Sequence, residues 1–415
     1  MGKLNNKMKE LFGSIIWKTA ALIIFLFTGC VFVSCKSKSE ENYVLVVSLD
    51  GFRWDYPSIY NTPNLDQIAT EGVKAKRMYS SFPTNTFPNH YSMVTGLYPG
   101  HHGLINNVFF APDLNKFYQM NDISIRENPA FYSGEPMWVT AEKQGVKAAA
   151  FYWVGSEAPI EGIYPSYWKK YTETVEFSSR IDSVVKWFGY PESKRPKLIN
   201  LYLDEPDATS HTFGPVSEQT RHAVESIDSL VGILRVKLSE LPIADKINII
   251  VVSDHGMASV SPDKYISLSK IIPKRMIEVA LGGNPIVLVK PAEGKTDSLL
   301  FLINQVPGVK AWRKSELPDR WHYTHPRVPE IVVLADSSWS IGISPIPSRS
   351  RGGHGYDNLN PELHSIFYAT GPAFKRNYIF EELNNVDIYG IVCKILNLKP
   401  APNDGNPKII VEVLK

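Results

Sequence analysis

Four apolar runs separated by long segments most strongly constrain how this chain can fold. They span residues 43–49, 147–153, 197–203 and 247–253, and all are rich in valine, isoleucine, leucine and aromatic residues. Such near-continuous apolar character is typical of strands that are covered on both faces. Because helical segments separate the runs, the sequence predicts an α/β fold with a central, mainly parallel sheet flanked by helices.

The clearest helical segment spans residues 217–241. Its apolar residues recur every three or four positions from Ala223 to Leu238, which is the spacing of one helix face. Ser217 is placed to cap its first turn, since a serine oxygen can accept a hydrogen bond from a free backbone amide.

Acidic residues follow three of the apolar runs. Asp50, Asp204 and Asp254 each come directly after the end of a run. The carboxyl ends of parallel strands meet at one edge of an open α/β sheet and line its ligand crevice. We therefore expect this edge to carry several carboxylates close together.

Histidines join these carboxylates at spacings that suit metal binding. Asp207 and His211 are four positions apart and share a helix face, Asp254 adjoins His255, and His354 lies between glycines. Carboxylate and imidazole are the zinc ligands to expect where no thiolate is available, and two such ions can clamp an in-line phosphoryl displacement. The pattern predicts a metal-dependent phosphoester hydrolase. The other seven histidines are predicted to be ordinary surface or core residues: His90, His101, His102, His222, His322, His325 and His364.

Two threonines compete for the role of nucleophile. Thr84 and Thr86 both precede a predicted helix through residues 91–95, in which Pro88 suits the first turn. A threonine hydroxyl needs a base or a metal to become a good nucleophile. The amides at the start of this helix are expected to favour phosphate. The spacing alone leaves the choice between the two threonines open.

The N-terminal segment is predicted to direct export. Residues 1–35 combine early lysines with a short apolar run and end in a lipobox-like pattern, and 36–42 form a polar tether. Cys35 is a better candidate for lipidation than Cys30, because the tether follows it directly. The expected location is the periplasm or the outer membrane, with the protein held at the membrane by this lipid anchor.

The rest of the chain is predicted to form a catalytic core with one insertion. Residues 43–265 and 346–415 are assigned to the core, and 266–345 to a smaller inserted α/β lobe that contains several prolines. The net charge is +2, from 44 basic and 42 acidic residues, which gives no reason to expect specific nucleic-acid binding. The expected partner is instead a small molecule.

Five segments together resemble the nucleotide pyrophosphatase/phosphodiesterase family of the alkaline phosphatase superfamily. They are 47–53 (VSLDGFR), 86–92 (TFPNHYS), 205–211 (EPDATSH), 253–257 (SDHGM) and 353–355 (GHG). They follow one another in the family's order from about residue 43 to the C-terminus. The resemblance implies an alkaline-phosphatase-like core with two zinc ions. One departure is Ser210, where the family usually has glycine.

The resemblance also implies roles for individual residues. It favours Thr86 over Thr84 as the nucleophile, with a covalent phosphothreonine intermediate that water then hydrolyses. Asn107 matches an asparagine that donates a hydrogen bond to a phosphate oxygen. The implied ligands of one zinc are Asp207, His211 and His354, and those of the other are Asp50, Asp254, His255 and the hydroxyl of Thr86.

The implied substrates are nucleotides and their derivatives, cleaved to release nucleoside 5′-monophosphates. Phe87 and Tyr171 match aromatic residues that sandwich the nucleobase, and Trp153 lies in the matching substrate segment. Two alternatives remain open at this point. One is a choline-phosphodiester or lysophospholipid phosphodiesterase of the same family, and the other is a non-catalytic zinc-binding surface lipoprotein.

Overall fold

The computed structural model of the protein describes residues 41–415. The strands in this range are β1 (Tyr43–Leu49), β2 (Val73–Tyr79), β3 (Val108–Ala111), β4 (Lys116–Gln119), β5 (Ala148–Phe151), β6 (Tyr167–Lys169), β7 (Leu198–Leu203), β8 (Ile247–Val252), β9 (Ala258–Ser259), β10 (Tyr265–Ser267), β11 (Ile277–Gly283), β12 (Ile286–Pro291), β13 (Val309–Arg313), β14 (Ile331–Ala335), β15 (Ser340–Gly342), β16 (Gly352–Gly353), β17 (Phe367–Thr370) and β18 (Tyr378–Asn384). The α-helices are α1 (Tyr56–Ile59), α2 (Pro63–Glu71), α3 (Thr86–Thr95), α4 (Pro99–His102), α5 (Ile123–Arg126), α6 (Met137–Lys143), α7 (Phe177–Phe188), α8 (Asp207–Phe213), α9 (Glu218–Ser239), α10 (Leu268–Ile271), α11 (Thr296–Asn304), α12 (Asp387–Ile395) and α13 (Pro407–Val413).

An eight-stranded sheet forms the centre, in the order β18-β2-β17-β8-β1-β7-β5-β6. Its strands pair in parallel except where β17 runs antiparallel to both of its neighbours. The four apolar runs form β1, β5, β7 and β8, which occupy adjacent positions in this sheet. The predicted α/β fold with a mainly parallel sheet is thus confirmed.

The central strand β1 is buried along its whole length. Val44 and Val46 pack into an apolar core on one face of the sheet, and Leu45 and Val47 into a second core on the other face. Full burial of each such side chain stabilises the fold by roughly 1.5–3 kcal/mol. Because a slip of one residue would exchange the two faces, this packing fixes the register and hence the place where Asp50 emerges.

Helix α9 agrees with the helix predicted at residues 217–241. Ser217 lies at its N-cap, and the Ser217 hydroxyl accepts a hydrogen bond from the amide of Thr220 at 3.1 Å. The buried face is slightly rotated from the predicted one, because Val224 and Val231 are buried whereas Ala223 and Leu230 are only partly covered.

A second sheet lies within the predicted insertion. Its four strands are antiparallel, in the order β11-β12-β14-β13, and α11 packs against β13. A third apolar core fills this part of the protein, with Val287, Val289 and Val333 among its members. The boundaries of the lobe at 266 and 345 stay a prediction.

The predicted export features lie outside the described residues. Cys30, Cys35 and the signal at 1–35 are not among them, and only the end of the tether is. From residue 41 onward, no helix is both long enough and apolar enough to cross a membrane. Cys393 is described as a buried free thiol.

Replacement of Ser217 by alanine should lower the free energy of unfolding by about 1 kcal/mol, because the substitution removes the acceptor for the Thr220 amide. Urea unfolding followed by circular dichroism would measure the change. The matched control is Ser226→Ala at an exposed position of the same helix, where no destabilisation is expected. Equal stability of wild type and Ser217→Ala would contradict a stabilising role for the cap.

Candidate active site and metal centre

The carboxyl edge of the central sheet brings three aspartates together. Asp50 directly follows β1, Asp254 comes two residues after β8, and Asp207 begins α8 beyond the end of β7. The amide of Gly51 donates to Asp254 Oδ1 at 3.2 Å, and the amide of Asp207 donates to the carbonyl of Asp50 at 3.1 Å. These hydrogen bonds hold the three loops against one another.

Two histidines reach this edge by different routes. His211 lies one turn after Asp207 in α8, whereas His354 follows β16, which pairs with β9. A side chain at position 352 would place its Cβ 2.4 Å from the carbonyl oxygen of Ser210, so glycine is required there. Ser210 itself is fully buried, and its hydroxyl lies 3.5 Å from that of Tyr56. The departure from the family's glycine is therefore accommodated within the helix.

One group that could hold a metal ion comprises Asp207, His211 and His354. Asp207 Oδ1 lies 3.5 Å from His211 Nε2 and 3.7 Å from His354 Nε2. All three ligand atoms lie within 4.8 Å of one another. The group is partly open to solvent at Asp207 and His211, which suits a position where substrate must enter.

The second such group comprises Asp50, Asp254 and His255, and it is fully buried. His255 Nε2 lies 3.5 Å from Asp50 Oδ1 and 3.1 Å from Asp254 Oδ2. The rings of His255 and His354 stack with their centroids 3.7 Å apart, so the two groups lie side by side.

Each of the three aspartates has one buried carboxylate oxygen without a hydrogen-bond donor. Asp50 Oδ1, Asp207 Oδ1 and Asp254 Oδ2 accept no hydrogen bond from residues 41–415. Burial raises the pKa of Asp50 well above its usual range, and the charges of Asp254 and Asp207 raise it further. An unpaired buried carboxylate is energetically costly, so this arrangement fits bound cations.

The three histidines are oriented in the same way. Each Nδ1 lies against a backbone carbonyl, at 2.9 Å for His211, 2.8 Å for His255 and 3.0 Å for His354. Since a carbonyl can only accept, Nδ1 must carry the proton, and in the neutral ring Nε2 presents its lone pair. Metal-binding histidines are usually held by such a second hydrogen bond. The donor set therefore fits a metal centre.

The structure separates the roles of the two threonines. The hydroxyl of Thr84 is buried, donates to the carbonyl of Tyr356 at 3.1 Å and accepts from the amide of Gly355 at 2.9 Å. It braces the loop that carries His354. Thr86 begins α3, and its Oγ1 lies 3.2 Å from His255 Nε2, beside the buried metal group. Of the two, only Thr86 lines the cavity that adjoins the metal groups.

That cavity has a volume of about 320 Å³, and it is lined by the whole of the first metal group and by Asp50 of the second. The predicted substrate-binding residues Phe87, Asn107, Trp153 and Tyr171 all line it. Asn107 Oδ1 accepts the amide of Phe87 at 3.0 Å, which leaves the Asn107 amino group as the donor available to a ligand. Trp153 is only 1% exposed, so its ring is part of the wall rather than a free stacking surface.

The backbone amides at the start of α3 can contribute less to phosphate binding than the sequence predicts. Phe87 donates its amide to Asn107, and Pro88 has no N–H, so two of the first three positions of α3 offer nothing to a phosphate. This part of the sequence-based expectation is corrected.

The sequence patterns did not identify two residues that lie beside the metal groups. The Tyr202 hydroxyl donates to Asp50 Oδ2 at 2.6 Å, and His90, predicted to be an ordinary histidine, lies with Nδ1 3.3 Å from Asp254 Oδ2. The i,i+4 spacing of Thr86 and His90 could have indicated that they share a helix face. Conversely, Asp204 follows its strand as expected but pairs with Arg180 at 2.6 Å instead of joining either metal group.

Comparison with known proteins gives consistent similarities. The model of the family "Type I phosphodiesterase / nucleotide pyrophosphatase" matches residues 44–357. The rat ectonucleotide pyrophosphatase/phosphodiesterase family member 3 is 33% identical over 395 residues, covering 92% of this chain and 45% of the relative. The human family member 5 is 33% identical over 370 residues, covering 88% of this chain and 77% of the relative.

Solved structures are similar as well. The murine ectonucleotide pyrophosphatase / phosphodiesterase 5, as an inactive threonine-to-alanine variant in complex with AMP, superposes with a TM-score of 0.86 at 34% identity. The match covers 90% of this chain and all of the murine chain. The chain nevertheless spans less than half the length of the rat relative.

Replacement of Tyr202 by phenylalanine should weaken metal binding by about 10–100-fold, because Asp50 loses the donor that favours its ionised form. Competition with a chromophoric chelator would measure the affinity. The control is Tyr167→Phe, which removes a hydroxyl bonded to the carbonyl of Lys194 at the surface and should leave metal affinity unchanged. An unaltered affinity in Tyr202→Phe would show that this hydrogen bond does not tune the site.

Proposed function

The chain belongs to the type I phosphodiesterase / nucleotide pyrophosphatase family, and from this premise we propose that it is a two-zinc phosphodiesterase. It would hydrolyse phosphodiester or pyrophosphate bonds of nucleotides and their derivatives and release nucleoside 5′-monophosphates. The observation that carries the proposal is that three carboxylate oxygens without hydrogen-bond donors and three oriented histidines form two adjoining groups beside Thr86, at the wall of one aromatic cavity.

The residues that would hold the metals follow from the two groups. Zinc suits neutral imidazole and carboxylate ligands in a site without thiolate. When bound, the two ions supply the positive charge that stabilises the attacking and leaving oxygens of an in-line displacement. Asp207, His211 and His354 would hold one ion, and Asp50, Asp254, His255 and the Thr86 hydroxyl the other.

Thr86 would act as the nucleophile. Its Oγ1 forms a bond to phosphorus as the bond to the leaving oxygen breaks, and its proton passes to solvent. Water then cleaves the phosphothreonine and restores the hydroxyl. The position of Thr86 at the first residue of α3 supports this role, because the adjoining backbone is fixed by the hydrogen bond between Phe87 and Asn107.

Asn107 would stabilise the charge that develops on phosphorus oxygens. Because its Oδ1 is committed to Phe87, its amino group is already oriented as a donor at the cavity wall. Preorganised donors of this kind need little reorganisation during the reaction.

The cavity favours a nucleotide over a choline ester. Glu157 and Tyr171 together have the composition of a cage for a quaternary ammonium group. However, Glu157 is paired with Arg126 at 3.4 Å, and the Arg126 guanidinium lies 5.6 Å from the centre of the Tyr171 ring. A resident cation at this ring disfavours a second one. The AMP bound by the murine relative is a ligand of the class that we propose here.

We also propose export and anchoring through lipid at Cys35, with the periplasm or the outer membrane as the location. The support is the sequence of residues 1–42 alone. Metabolic labelling with a radioactive fatty acid, compared between wild type and Cys35→Ala, would test the anchor.

Replacement of Thr86 by alanine should lower kcat at least about 1,000-fold, because it removes the oxygen that bonds to phosphorus. Turnover of the 4-nitrophenyl ester of thymidine 5′-monophosphate would measure it, with zinc content determined in parallel. Thr70→Ala, at an exposed position of α2, is the control and should retain wild-type rates. Wild-type-like turnover in Thr86→Ala would falsify the nucleophile assignment.

Wild-type protein should prefer the thymidine ester to 4-nitrophenyl phosphorylcholine, measured as kcat/KM. Phe87→Ala should raise KM for the thymidine ester about tenfold, because one stacked base contributes about 1–3 kcal/mol, and should change little for methyl 4-nitrophenyl phosphate, which has no base. A preference for the choline ester would overturn the substrate class while keeping the mechanism. If none of the three esters is hydrolysed, the proposed catalytic function is wrong and the alternative of a non-catalytic zinc-binding protein is favoured.

A further inference from the structure

His90 lies at the junction of the nucleophile helix and the buried metal group. It is fully buried, and its Nδ1 lies 2.9 Å from the carbonyl oxygen of Thr86 and 3.3 Å from Asp254 Oδ2. A carbonyl oxygen can only accept, so Nδ1 carries a proton and donates it to Thr86, while Asp254 Oδ2 lies in contact with the same nitrogen without a hydrogen bond. On the opposite side of the ring, Nε2 lies 2.9 Å from the hydroxyl of Ser48 in β1.

The ring has little freedom to turn. It packs edge-on against Trp153 and Tyr202, with centroids 5.2 and 5.0 Å away. The indole nitrogen of Trp153 also donates to the backbone carbonyl of His90 at 3.0 Å. The N–H direction is therefore fixed by the surrounding core before any substrate binds.

We propose that His90 is a positioning residue that sets the distance between the Thr86 hydroxyl and the carboxylate of Asp254. The N–H of Nδ1 is bonded to the first turn of α3, which presents Thr86, and the same nitrogen contacts the loop after β8, which presents Asp254. The inference rests on the proposed role of Thr86 as nucleophile. A misplacement of about 1 Å between reacting groups can cost about 100-fold in rate.

Two amide substitutions separate the two sides of the ring. In His90→Asn the amide nitrogen takes the place of Nδ1, whereas in His90→Gln it takes the place of Nε2. Both variants lose a similar amount of packing in the same buried site. If the N–H of Nδ1 positions Thr86, the asparagine variant should retain about a tenth or more of the wild-type kcat, and the glutamine variant should fall about 100-fold with KM nearly unchanged.

The substrate for this comparison is bis(4-nitrophenyl) phosphate, a diester without a nucleobase. The result then depends on the ratio of variant to wild type and not on whether the natural substrate is a nucleotide. Failure of the proposed function would appear in wild type and in Thr86→Ala, and failure of the His90 proposal would appear only in the asparagine–glutamine comparison.

Metal content and melting temperature of each purified variant provide the readouts besides activity. Ser48→Ala, which removes only the partner of Nε2, is the control and should keep kcat within about threefold of wild type, as expected for the loss of one neutral hydrogen bond away from the reacting groups. Retained zinc in the glutamine variant, with a large loss of kcat, would support positioning. Equal losses in both variants, accompanied by equal losses of zinc and stability, would overturn it and leave His90 a packing residue.

Discussion

The crowding of three carboxylates at one buried edge is the constraint on which the rest of this structure depends. Asp50, Asp207 and Asp254 each have one buried oxygen that accepts no hydrogen bond, and burial together with repulsion from the other two raises the pKa of Asp50. Such a cluster is costly unless cations compensate it. The histidines are oriented to bind such cations, because their Nδ1 atoms donate to backbone carbonyls and their Nε2 lone pairs remain for a metal. The site is therefore built for charge that the chain itself does not supply.

Much of this arrangement could be predicted from sequence because it depends on local patterns. Apolar runs buried on both faces predicted the parallel sheet, and an aspartate directly after two of them predicted the edge where Asp50 and Asp254 meet. The same rule correctly placed Asp204 after its strand, but nothing local shows that Arg180, on α7, would bind it. A pattern places a residue at an edge but does not choose its partner.

Other features depend on contacts between distant segments and were beyond such reasoning. Thr84 and Thr86 are indistinguishable by spacing, yet the hydroxyl of Thr84 is hydrogen-bonded to the carbonyl of Tyr356, 272 positions away. His90 and Tyr202 have no motif of their own, because their importance comes from Asp254 and Asp50. The pairing of Glu157 with Arg126, which bears on substrate choice, likewise becomes visible only when the cavity wall is assembled.

The long separations within the site bear on how the protein reaches its active form. The hydrogen bond that joins the loop of Asp50 to the loop of Asp254 spans 203 positions. The hydrogen bond from His354 to the Thr84 carbonyl spans 270 positions. Contacts of this kind form late, because distant segments must first be brought together at an entropic cost. An incompletely folded chain would hold Asp207 and His211 on one helix but lack His354, the third proposed ligand. For the proposed metal centre, uptake of the ion would thus be coupled to the pairing of β16 with β9, so that metal occupancy and folding would form one equilibrium.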